Sequence, residues 1–111
     1  MPPESSRAGA FLRKILPFAF RAYRHELGLE TIHLHDAVAV GAAIHPELFV
    51  MREMEGDVET QGELTRGMTI FDRRPTAISR SDLEVALEVD ATATADCIVR
   101  GLAEAGRQTA T

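Results

Sequence analysis

A histidine and an aspartate stand side by side at Leu34-His35-Asp36, with a second histidine two residues upstream at His33. An imidazole titrates near neutral pH, so His35 could deliver a proton to a leaving group. The adjacent carboxylate could ligate a hard cation such as Ca²⁺, which asks for several oxygens at once. Both residues also have plainer readings. Asp before a helix satisfies orphan N–H groups as an N-cap, and His35 can be a packed or surface side chain. His33 and His35 point the same way if the segment is extended, which raises a zinc site. A further nitrogen ligand would have to come from His25 or His45, and the spacing requires neither. Tyr23, twelve residues before His35, falls on the apolar face of an expected helix. It can serve as core packing, or as an aromatic wall for a planar ligand with its hydroxyl as a polar handle.

The elements around this corner follow from periodicity. Residues 1–9 are rich in turn formers and read as a loose leader. Ala10 to Leu16 predicts a short helix, and Pro17 then suits the first turn of a second helix, Phe18 to Leu27. Phe20, Tyr23 and Leu27 share one face of it, and Gly28 is placed as a C-terminal stop. Asp36 is the expected N-cap of a helix over Ala37 to Ile44, which Pro46 ends. Leu48 to Glu59 predicts a strand with a possible bulge at Gly56. Thr60 to Thr65 predicts a turn around Gly62, Arg66 to Asp72 a strand, and Arg73 to Asp82 a polar loop. In Leu83 to Val89, apolar Leu83, Val85, Leu87 and Val89 alternate with Glu84, Ala86 and Glu88, predicting a strand with one buried and one wetter face. Asp90 then caps a last helix, Ala91 to Ala105.

Composition narrows the function class. The chain has 111 residues, enough for one domain or one piece of a larger one. Cys97 is its one cysteine; that precludes an internal disulfide and suits a reducing, cytoplasmic compartment. Residues 1–35 carry five basic and three acidic side chains, and residues 36–111 carry seven basic and fourteen acidic. An acidic body of this kind argues against a nucleic-acid groove or an anionic membrane surface. The longest apolar or Gly run, Ala37 to Ile44, is too short to span a bilayer. No Ser/His/Asp order and no Gly-rich phosphate loop stands out.

The motifs taken together are more specific than any one of them. Leu34-His35-Asp36-Ala37-Val38-Ala39-Val40 leads into a helix ending near His45-Pro46-Glu47-Leu48-Phe49. Val58-Glu59-Thr60-Gln61-Gly62-Glu63-Leu64-Thr65-Arg66-Gly67-Met68-Thr69 follows, and then Val85-Ala86-Leu87-Glu88-Val89-Asp90. In this order and spacing the set resembles the C-terminal part of the inosine-uridine preferring nucleoside hydrolases, from about Phe18 to Leu102. The resemblance implies hydrolysis of the N-glycosidic bond of ribonucleosides, with a Ca²⁺ that grips the ribose hydroxyls and a water molecule. Asp36 matches the family's C-terminal calcium ligand, His35 the proton donor beside the leaving base, and Tyr23 the position that faces the nucleobase. Ala37 departs from the proline usual after His-Asp. Leu27 and Leu29 are apolar where some members place polar base contacts, which leaves base preference open.

The family's Asp-rich metal loop, of the type Asp-x-Asp-x-x-x-Asp-Asp, has no counterpart in residues 1–33, where Glu4, Glu26 and Glu30 are the only acids. The expected fold is therefore α/β: a C-terminal segment of a nucleoside hydrolase, occupying 10–111, with helices packed on about three partly antiparallel strands. The expected chemistry is that of a nucleoside hydrolase left incomplete in the lone chain, with one calcium ligand and one acid. A ribonucleoside is the expected ligand once a separate N-terminal half or a second copy completes the site. The rival reading is a non-catalytic remnant or interaction module that docks on a hydrolase or on such a half.

Overall fold

The computed structural model describes residues 1–74 and 83–110. Among the described residues three helices and four short strands follow one another as α1 (Arg7–Leu27), α2 (His35–Ile44), a 3-10 turn (Pro46–Leu48), β1 (Phe49–Met54), β2 (Gly56–Val58), β3 (Thr69–Phe71), β4 (Leu83–Val89) and α3 (Ala91–Gln108). The fold is α/β, and every strand pair is antiparallel: β1 with β4, and β2 with β3. The expected single strand from Leu48 to Glu59 is two strands on two different partners. The irregularity sits earlier than Gly56, between Val50 and Met51, where Val50 faces Glu88 and Met51 faces Ala86.

The N-terminal half of the sequence reading needs two corrections. One continuous helix replaces the pair expected around Pro17, which lies inside α1. The ring removes one N–H from the ladder, and the turns on either side carry the helix through. Residues 1–9, expected to be loose, tie α1 to α3. Ser6 caps α1 by accepting from the Gly9 N–H at 3.0 Å, and its hydroxyl donates to the Pro3 carbonyl at 2.7 Å. The Arg7 N–H donates to the Thr109 carbonyl at 3.1 Å. Pro2 is fully buried and lies so close to Gly106 that a Cβ there would come within 2.6 Å of it. Small residues thus let the two helix ends approach.

Other signals give the elements they predict. Gly28 stops α1 in the left-handed conformation, φ 67°, with its N–H on the Arg24 carbonyl. Asp90 caps α3 by accepting from the Ala93 N–H at 3.0 Å. Strand β4 has the expected bounds, but not the expected burial. Leu83, Leu87 and Val89 are all exposed. Among the described residues Met54 is the one buried large hydrophobic side chain, 4% exposed. The apolar faces are formed but uncovered. The expected polar loop lies largely outside the described residues, at 75–82.

Candidate functional site

His35 is the first residue of α2, and Asp36 lies in its first turn. The expectation that Asp36 is the N-cap is therefore corrected. Leu34 holds that place and makes no side-chain cap. An acid in the first turn still meets the positive end of the helix dipole favourably. His35 Nε2 lies 3.8 Å from Asp36 Oδ1, with the histidine side chain 72% exposed and the carboxylate fully so. That distance is beyond a hydrogen bond, and it makes an ion pair only when the imidazole is protonated. Both groups point into solvent.

Tyr23 is brought back toward this corner by the turn after α1. Three features bind that turn. The Leu29 N–H donates to the Tyr23 carbonyl at 3.3 Å. Arg24 pairs with Glu30. The rings of Tyr23 and His33 meet edge to face, with centroids 5.8 Å apart and planes at 75°. The sequence raised His33 only as a zinc ligand. Nothing in the sequence pattern paired it with Tyr23.

An apolar groove of about 690 Å³ opens beside His35 and is lined by Ile32, Leu34, Val38, Val89, Ile98 and Val99 among others. Thr94 also lines it, and its Oγ1 is buried without a hydrogen-bond partner. Nothing in the sequence pattern singled out Thr94. The groove carries the His35 imidazole at its edge but offers no enclosing cage of oxygens.

Calcium asks for six to eight oxygen ligands placed together. Among the described residues no group of three or more His, Cys, Asp or Glu side chains could hold a metal ion. Among the described residues His33 and His35 likewise have no third side chain with which to hold zinc. Asp36, fully exposed and bonded to no backbone donor, can supply one carboxylate to a metal whose other ligands come from elsewhere. By themselves the described residues do not fit the ion. Nor is any described helix long and apolar enough to cross a membrane.

The third strongly patterned stretch lies away from this corner. Glu59 Oε1 accepts from the Gln61 N–H at 2.6 Å and the Gly62 N–H at 2.9 Å. Those two N–H groups, Gln61 first, hold the Glu59 carboxyl below the usual glutamate range. A Cβ on Gly62 would sit 2.3 Å from Thr65 Oγ1, and Gly67 takes φ 87°. The acid and both glycines of this motif therefore build the β2–β3 connection.

Comparison with known proteins accounts for both stretches. A sequence model of the family described as inosine-uridine preferring nucleoside hydrolase matches residues 3–96. The non-specific ribonucleoside hydrolase RihC of Escherichia coli O7:K1 is 35% identical over 88 residues, covering 79% of this chain and 28% of that protein. RihC of Shigella boydii serotype 18 is 34% identical over the same lengths. The solved purine-preferring ribonucleoside hydrolase from Gardnerella vaginalis superposes with a TM-score of 0.78 at 27% identity, over 93% of this chain and 33% of that one. The chain thus spans less than a third of the curated relatives it matches. With its family model spanning most of its length and its fold shared with a solved ribonucleoside hydrolase, the chain belongs to the inosine-uridine preferring nucleoside hydrolase family.

Proposed function

We propose that this chain supplies the acid-bearing corner of a ribonucleoside hydrolase, and that it completes a site only together with a further part of that fold. The observation that supports this reading is the exposed His35–Asp36 pair at the start of α2, in a chain of a family named for nucleoside hydrolysis. Breaking an N-glycosidic bond builds positive charge on the sugar and negative charge on the departing base. His35 is the group that would protonate that base. Tyr23 would stand against the base's planar face. Asp36 would contribute one carboxylate to a calcium ion whose remaining ligands, and the base that activates water, lie outside the described residues. The lone Cys97 suits a reducing cytoplasm.

Ribose release from inosine and from uridine tests this, with the purified chain and with the chain mixed with the N-terminal two-thirds of a related hydrolase, each with and without Ca²⁺. The chain alone is expected to release no more ribose than its His35→Ala and Asp36→Ala variants. The mixture is expected to show calcium-dependent release that falls by about 10²-fold or more in His35→Ala. Equal release from the mixture and its His35→Ala form would remove His35 from the reaction.

A second reading, a non-catalytic docking module, is favoured by one observation. The chain exposes 8922 Å², against about 6,000 Å² for a compact monomer of its mass. A module that binds the complementary piece without any ribose release would be this protein's role instead.

A further inference from the structure

His33 has no place in the reading above except as a neighbour, yet its ring makes the one aromatic contact found among the described residues, and it makes it with Tyr23. Tyr23 sits in the last turns of α1, and His33 sits two residues before the first residue of α2. The seven residues between Leu27 and His35 connect the two helices, and they are tied by the Gly28 and Leu29 N–H bonds and by the Arg24–Glu30 pair. Those ties fix the backbone of the turn. They do not fix the Tyr23 ring, which can still rotate about its own side-chain bonds. The main helix packing here runs α1 on α3 and α2 on α3.

We propose that His33 is a positioning residue. Its imidazole, packed edge to face on Tyr23, selects the ring orientation of Tyr23 and joins it to the segment that delivers His35. This rests on the reading of Tyr23 as the wall against a nucleobase. Two aromatic rings at a centroid separation of 5.8 Å and an angle of 75° are within the favourable range for an edge-to-face pair. The contact couples the two functions of the corner. The side chain that faces the base and the side chain that protonates it are referred to one another through a single residue between them. A free ring on the half-buried Tyr23 of α1 would present its face to a planar ligand only part of the time; a propped one presents it continuously, which lowers the ordering cost of binding.

The composition makes this readable. The chain has one tyrosine and no tryptophan, so its ultraviolet emission reports on Tyr23 alone. Acrylamide quenching of that emission is measured for the full chain and for His33→Ala, His33→Leu and His33→Phe, with His25→Ala as a control at an exposed histidine on the same helix. The quenching constant is expected to rise roughly twofold in His33→Ala and in His33→Leu, and to return to the parent value in His33→Phe, which restores an aromatic edge. His25→Ala is expected to leave it unchanged. The leucine variant keeps bulk at the position, so a fold lost in His33→Ala still leaves a decisive comparison. An unchanged constant in the leucine variant, or no recovery in the phenylalanine variant, would overturn the proposal. Where a reconstituted mixture releases ribose, His33→Ala is expected to raise KM for inosine roughly fivefold, and an unchanged KM would overturn it equally. The quenching arm needs no activity, so a failure of the hydrolase reading leaves this test intact and is told apart from it.

Discussion

Glu59 and His35 sit in equally recognisable motifs and carry different kinds of information. Glu59 is a structural acid whose carboxylate receives two backbone N–H groups within its own turn. His35 is solvent-facing and bonded to nothing that fixes it. Glu59 gives the fold a pH dependence. A carboxyl held low in the folded state contributes stability fully above its unfolded value, about 4.3 for glutamate. That contribution is lost as pH falls through the lower folded value. Asp72 adds in the same direction, pushed down to about 2 by the Arg74 guanidinium, which bonds it at 2.9 and 2.6 Å. Urea midpoints taken at pH 6, pH 4 and pH 3 are expected to fall along that series in the parent chain. In Glu59→Ala they should start lower at pH 6 and fall less between pH 6 and pH 3, because the acid whose protonation weakens the fold across that range is gone. Parallel curves for the two proteins would mean the Glu59 turn makes no net contribution.

At the scale of elements, the signals that worked are those settled within a few residues. Gly28 ends α1 because only a left-handed residue closes that turn without strain, and Asp90 starts α3 because its carboxylate reaches an orphan N–H. The strand β4 was legible from strict alternation. Two failures share a cause. Pro17 reads locally as a helix start, yet α1 runs through it, because the capped Ser6 turn and the ties to Thr109 and Pro2 commit the first turns to the same helix. Asp36 reads locally as a cap, yet the cap lies two residues earlier at Leu34 and the helix begins at His35. In each case a choice between neighbouring start sites was settled by what lies outside the local window. The continuous α1 yields a prediction. Pro17 is exposed, so Pro17→Ala restores one N–H to the ladder at no packing cost. A gain of roughly 2 kcal/mol is expected, the interior penalty of proline less its benefit in the unfolded chain. Urea unfolding with circular dichroism at 222 nm measures it. A loss of stability would mean that Pro17 itself helps to seat α1.

At the scale of the molecule, the sequence could say which faces are apolar and could not say whether anything covers them. The radius of gyration is 18.2 Å, where a compact chain of this length has about 13 Å. Phe18 at the middle of α1, Ile44 at the end of α2 and Val99 on α3 are each more than half exposed. The surface in excess of a compact monomer, roughly 2,900 Å², is of the size that permanent interfaces bury. Relatives about three times as long contain enough additional chain to cover it. The denaturant dependence of unfolding tests whether it is covered in solution, because the slope m follows the area exposed on unfolding. From the exposed area, the chain by itself buries about three quarters of what a compact domain of its length buries. Its urea m-value is therefore expected to fall short of a 111-residue globular domain by about a quarter. Mixing with the N-terminal two-thirds of a related hydrolase should move the pair to one gel-filtration peak and merge their unfolding into one steeper transition. A full-sized m-value for the chain alone, rising with its concentration, would mean that a second copy is the cover. A full-sized, concentration-independent value would mean that the chain closes on itself, and the split-site reading would then lose its physical basis.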